Sequence, residues 1–472
     1  MAKPHPMLEP FGTAPGESWD RTHAAHLLNR VGFGGTEAEV AEVFALGPVA
    51  AIDKLLDFPD SPVDETTQTA GPDLSGIAEY PKSAVERRQL FEGKSQEERQ
   101  LIQQRLNQAN NEAVREVAGW WLKRMASGPY PAQEKLTLFW HGHFTTSARD
   151  ERSAWLMWGQ NETWRTYAAG NFAKFVDAIA HDPAMLDYLN NSQNRKAHPN
   201  ENFARELMEL FTLGIGNYGE NDIKEAARAF TGWAHDGEAF VYRKFDHDDK
   251  PKTVLGRTGN FDGRDVIDIL LQQPACGTYI ATRLWKYFIS DDFDLNVCQS
   301  LGQQLRDKNF ELRPVLRMLF ASRAFYDERR MGGLIKSPVQ LLVGLVRQLN
   351  LPDPKFGKLR DSMKQMGQEP LMPPNVKGWP GGRMWINTST LFVRQNTAIS
   401  MLGEKGVDFR RKADAKLNSS ELVDAWLGRL IQRPVANERR QVLMQTVGDK
   451  PTDASVRLMV ELIVSMPEYQ LC

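Results

Sequence analysis

Apolar residues return every three to four positions through most of the chain, in segments that stop at Gly or Pro and restart at Ser, Thr, Asp or Asn. That spacing lines one face of an α-helix, whereas a half-buried strand needs alternation, so the fold is restricted to packed helices. The pattern predicts helices over residues 21–30 and 37–46, separated by the stop and cap Gly32-Phe33-Gly34-Gly35-Thr36. A loop is expected at 71–76, and 86–125 reads as one long amphipathic helix or two in line. Pro131 opens a helix over 131–144, and further helices are expected at 155–169, 172–180, 202–213, 222–233, 263–272, 277–288, 300–322 and 337–349.

Strand signals are sparse. The best is 239–245, read as half of a hairpin with 252–255. Residues 366–387 break the helical pattern with four prolines, four glycines and two tryptophans, and a structured loop of that length is either functional or a packed clamp. Residues 419–471 return to amphipathic helices, and no repeat of fixed period occurs. The expected architecture is mainly α, a large helical globular protein with at most a small β-hairpin. It is organised as a flexible N-terminal segment over 1–20 and one helical domain over 21–472, which can include an N-terminal helical subdomain at 21–85.

With 472 residues, 41% hydrophobic, the chain has ample material for a large core. Its 58 basic and 60 acidic residues leave a net charge of −2, which gives no general attraction to nucleic acid or to an anionic membrane. Cys276, Cys298 and Cys472 are too few and too scattered for a disulfide framework or a CxxC zinc site. No apolar run of signal-peptide length opens the sequence and none reaches membrane-spanning length, so the expectation is a cytoplasmic protein without membrane insertion. The G-x-S-x-G elbow is missing, which removes that hydrolase template.

Polar chemistry gathers in a few segments. His141-Gly142-His143 offers two imidazoles, typical ligands of zinc or iron. Residues two apart in a continuous helix point about 200° apart, so convergence needs the helix to end near Gly142; otherwise the pair is a cap region whose histidines bond carbonyls. In 202–211, Phe203, Leu207, Leu210 and Phe211 form one face, and Asn202, Glu206 and Glu209 form a stripe beside it. Buried, two such carboxylates must bind a cation, share a proton or pair with arginine; exposed, they are a solvated face salted by Arg205. Asp222 with Glu225 reads as a capping box, and Arg228 lies one turn beyond Glu225. His247-Asp248-Asp249 is either a ligand with a carboxylate behind it or an Asp-built turn. His26 reads as a partly buried histidine.

Together these segments are similar to a known family. His26-Leu27-Leu28-Asn29-Arg30-Val31-Gly32-Phe33-Gly34, Phe139-Trp140-His141-Gly142-His143-Phe144, Asn200-Glu201-Asn202-Phe203-Ala204-Arg205-Glu206-Leu207, Ala226-Ala227-Arg228-Ala229-Phe230-Thr231-Gly232-Trp233 and Pro374-Asn375-Val376-Lys377-Gly378-Trp379-Pro380-Gly381-Gly382 resemble the bacterial domain of unknown function 1800. The resemblance runs from about His26 to about Arg394. Its motif positions coincide with His26, His141, His143, Arg205, Glu206, Glu209, Arg228 and His247. It implies a companion protein of the class related to alkaline phosphatases and sulfatases, because members are often encoded beside such a family.

The functional expectation is a metal-dependent enzyme. His141, His143 and His247 would hold zinc or iron, Glu206 and Glu209 would serve as ligand or general base, and Arg205 or Arg228 would orient an anionic or polar substrate. The alternative is a non-catalytic helical binding or accessory protein, in which the same polar residues form an ion-pair network and the loop from Trp379 to Trp385 presents aromatic surface to a partner.

Overall fold

A computed structural model describes residues 3–60, 71–77, 81, 84–151, 153–404, 406–410, 414 and 416–472. Among them are 21 α-helices and two small antiparallel hairpins, so the fold is mainly α. One hydrophobic cluster runs from Leu8 to Tyr469. No helix among the described residues is long and apolar enough to cross a membrane.

The helix boundaries follow from local chemistry. Thr36 and Glu39 close a reciprocal capping box on Glu37–Leu56, and Ser95 and Glu98 do the same on Gln96–Ser127. The segment expected as one or two helices is two in line, Ala84–Phe91 and Gln96–Ser127, with Gly93 at positive φ between them. The helix predicted over 37–46 continues to Leu56, because Gly47 takes a φ of 75° and Pro48 restarts the spiral after a kink. Conversely, 300–322 is not one helix. Asn309 and Phe310 both adopt positive φ and split it into Leu295–Asp307 and Leu312–Ala321.

At the centre lies Pro338–Leu349, all of whose residues are buried. Its Val/Leu-rich faces pack into the core, and Gln340, Arg347 and Gln348 form one polar stripe whose buried groups donate to backbone carbonyls. Its one arginine, Arg347, donates to the carbonyls of Gly34 and Ala126 and pairs with Glu39, so the glycine-rich turn after Arg21–Val31 is fastened to the core. The expected hairpin partners are corrected. β1 (Trp233–His235) pairs with β2 (Phe240–Tyr242), and β3 (Lys252–Val254) pairs with β4 (Arg257–Gly259), each across its own nearby turn. A short turn wins because it costs less chain entropy than closing 239–245 on 252–255.

The segment ahead of Arg21, expected to be flexible, carries a 3-10 turn at Pro6–Leu8 and backbone hydrogen bonds to Ala321, Arg323 and Ala324. The loop 366–387 is a packed clamp: Trp385 is buried, and Trp379 stands edge-on to His141 at 5.0 Å.

Candidate active site

The helix Pro131–His141 ends at Gly142, as convergence of its two histidines would require. The imidazoles nevertheless go to different places. His141 is fully buried, stacked on Trp164 at 4.3 Å, and no described group hydrogen-bonds either ring nitrogen. Burial pushes it down to about 3, so it is a neutral ring inside an aromatic cage. His143 donates from Nε2 to the Phe211 carbonyl at 3.0 Å, and His247 donates from Nδ1 to the Thr231 carbonyl at 2.9 Å. His26 does the same to Phe325 at 3.1 Å. Each histidine is held by its own neighbourhood, and among the described residues no three His, Cys, Asp or Glu side chains gather closely enough to hold a metal ion. The donor set therefore does not fit a resident zinc or iron.

The glutamates and arginines divide in two. Arg205 pairs with Glu220 at 2.8 Å and with Glu201 at 3.0 Å. Arg228 pairs with Asp248 at 2.7 Å and, as its spacing predicts, with Glu225 at 2.9 Å. Asp222 is not the helix cap. Glu220–Ala229 starts earlier, with Gly219 at the cap position and Asp222 accepting the Gly219 N–H at 2.8 Å and the Leu255 N–H at 2.8 Å.

Glu206 and Glu209 lie on a stretch that leaves α-helical geometry: residues 202–206 are α-helical, and Leu207–Thr212 forms a π-helical turn. Such turns recur at functional sites. Burial and the Glu209 charge raise Glu206 above the usual carboxyl range, while the charge of Lys377 pulls it back. Glu209 accepts from the Tyr218 hydroxyl at 2.9 Å.

A different cluster lies on the other side of the helix Pro183–Tyr188, in a cleft of about 410 Å³. Its acids are Glu151, at the end of Ala148–Glu151, then Asp182, which caps Pro183–Tyr188, and Asp187 near the end of that helix. Asp182 accepts from the Met185 N–H at 3.0 Å and from Gln160 Nε2 at 2.7 Å, yet burial still pushes it up to about 7. Glu151 is pushed up to about 9, first by burial and then by the charges of Asp187 and Asp182, and its buried Oε2 meets no partner among the described residues. Burial also works to raise Asp187, but a 2.7 Å contact with His235 Nε2, the Ser192 hydroxyl and the charge of Arg243 together outweigh it and hold that carboxyl below its ordinary value. His235 Nδ1 accepts the Gly237 N–H at 3.0 Å, so Nε2 carries the proton given to Asp187.

Trp155, Asn107, Asn110 and Gln103 complete the walls. Tyr188 connects the cleft to the Glu206 edge: burial, Asp150 and Glu206 push its hydroxyl up to about 12. Sequence reasoning missed all four of Glu151, Asp182, Asp187 and His235. Asp182-Pro183 reads as an ordinary helix start, and no spacing rule joins 151 to 235. The one available signal was the proximity of Asp182, Asp187 and His235 to the motif segments.

The fold and the cleft thus define a large helical protein with a carboxyl-lined site. The sequence matches the family described as a protein of unknown function (DUF1800) over residues 26–471, and the chain belongs to that family. Neither the curated proteins nor the solved structures yield a match.

Proposed function

We propose that the protein is a general acid–base enzyme acting on a neutral polar substrate, of the polyhydroxylated kind represented by a sugar unit, in the cleft between Glu151 and His235. The observation that carries this reading is one cavity that holds carboxyls in opposite surroundings: Glu151, whose buried Oε2 meets no partner among the described residues, and Asp187, which contacts His235 at 2.7 Å. Near neutral pH Glu151 keeps its proton, Asp187 is ionised, and Asp182 titrates between them. Groups driven apart in this way by their surroundings take acid and base roles. Glu151 delivers a proton to the leaving oxygen, Asp187 removes one from the attacking hydroxyl, and His235 is a positioning residue that keeps Asp187 ionised and oriented. The amides of Gln103, Asn107 and Asn110 and the Trp155 ring suit hydroxyls and the apolar face of a sugar. Asp187 and Glu238, with Asp182 titrating beside them, outweigh Arg87 and disfavour an anionic substrate.

The metal reading gains no support from where the three histidines lie. A companion of the phosphatase or sulfatase class would have to dock elsewhere than on Trp385, which is buried. Saturation-transfer NMR with a panel of methyl pyranosides, and turnover of the matching nitrophenyl glycosides, tests the proposal. Wild-type protein should bind and turn over at least one, and folded Glu151→Gln and Asp187→Asn variants should lose about 10²-fold or more in kcat/KM while still binding. Absence of binding across the panel, or turnover unchanged in both variants, would overturn it.

A further inference from the structure

A second cavity, of about 280 Å³, lies where two of the motif segments meet. Lys135, Leu138, Phe139 and Gly142 fall on one side of the Pro131–His141 helix and its end, and all four line it. The opposite wall comes from the loop carrying Trp379 and Trp385. The loop approaches this closely because Gly378 has a φ of 78° and a Cβ there would stand 2.7 Å from the Gly142 carbonyl oxygen. Arg283 donates to the same carbonyl at 3.2 Å and also lines the cavity.

Lys135 is one of several buried cations, with Arg30, Lys336 and Arg394, that meet no acidic side chain among the described residues, and of these it alone lines the cavity. Glu134, next in sequence, is matched by both Arg165 and Arg124. Lys135 is as deeply buried, at 6% exposed, but among the described residues no Asp or Glu side chain pairs with it. It touches the neutral Gln340 and lies 5.0 Å from the Phe33 ring and 5.5 Å from the Tyr287 ring. Burial lowers it to about 8, aided by the charges of Arg30 and Lys336, while the charge at Cys472, which lines the same cavity, acts in the other direction. A desolvated ammonium facing an aromatic-walled cavity, with an arginine beside it, is complementary to one negative charge on an apolar body.

We propose that this cavity binds a small organic carboxylate, with the carboxylate received by Lys135 and Arg283 and the apolar part among Phe139, Tyr287, Trp379 and Trp385. The site is separate from the acid cleft, and its proposal stands or falls independently of the one above. A dianion such as phosphate is a poorer fit, because the rim also carries Asp291.

Calorimetric titration with benzoate, and separately with inorganic phosphate, tests this on the full chain. Benzoate should bind saturably and quench tryptophan fluorescence. Binding should weaken about tenfold or more in Lys135→Met and in Arg283→Gln. It should persist in Lys336→Met, which alters a buried lysine that lies over Tyr469 and outside the cavity lining. A measurement on unaltered protein covers the case in which Lys135→Met fails to fold: benzoate should protect Lys135 from acetic anhydride, read by peptide mass spectrometry. The proposal is overturned if benzoate shows no saturable binding, if it binds without protecting Lys135, or if phosphate binds as tightly as benzoate.

Discussion

Arg30 and Glu134 each bring a charge into the core and solve its desolvation differently. Arg30 spends its guanidinium mostly on backbone, reaching the carbonyls of Phe288, Ile289 and Arg330 at 2.8, 2.9 and 2.7 Å and the charged Cys472 oxygen at 2.7 Å. It ties the first helix to segments almost 300 and more than 400 residues away, which gives this motif position a structural role. Glu134 is held by charge instead. It accepts from Arg165, Arg124 and the Trp121 indole, and although burial alone would raise it, the arginines keep it below the ordinary carboxyl range. Glu134→Gln should therefore cost about 3 kcal/mol, because Arg124 and Arg165 lose the buried carboxylate they share, although Arg165 keeps Glu162. Urea unfolding checks this, and a loss below about 1 kcal/mol would mean that the arginines find other partners. At this scale the sequence showed which side chains carry charge and that Arg228 reaches Glu225. It did not show that Arg205 is spent on Glu220, which comes from the next helix.

Between Pro274–Phe288 and Leu295–Asp307 the closest approach is glycine on glycine. A Cβ on Gly277 would lie 2.6 Å from the Gly302 carbonyl oxygen, and one on Gly302 would lie 2.5 Å from Gly277. Backbone cannot move aside as a side chain can, so Gly277→Ala should destabilise by about 1–3 kcal/mol despite the better helix propensity of alanine. Gly119, within Gln96–Ser127, has open space around its Cβ position, and Gly119→Ala should stabilise by about 0.5–1 kcal/mol. Thermal unfolding of the two variants should move in opposite directions, and movement in the same direction would refute the packing argument. The sequence places Gly119 inside a helical pattern and Gly277 at the start of one, and neither position shows how closely another helix approaches. The π-helical turn at Leu207–Thr212 was equally hidden, since its residues carry ordinary α-helical periodicity; the Leu213 N–H donates to the Met208 carbonyl five residues back at 2.9 Å.

Across the whole molecule, two sets of buried groups set opposite slopes of stability against pH. Burial lowers His141, His143 and His26 below 6.5, so their contribution is complete above that value and is lost as pH falls, through about 3 for His141. Glu151 and Asp182 are raised, so their contribution is complete below the ordinary carboxyl range and is lost as pH rises through about 7 for Asp182 and about 9 for Glu151. Denaturation midpoints measured across pH should flatten on the alkaline side in Glu151→Gln and on the acid side in His141→Phe. Unchanged slopes would show that these groups are not buried as described.

The sequence by itself determined the helical class, most helix positions, the family and the set of polar segments, because periodicity, caps and breakers act over a few residues. Only the tertiary structure decided which polar groups meet. It sent His141, His143 and His247 to separate surroundings, and it brought Glu151, Asp182, Asp187 and His235 from three distant segments into one cleft. The physical reason is that a carboxyl's proton affinity and partners depend on burial and on charges within a few ångströms, and helix packing sets those distances.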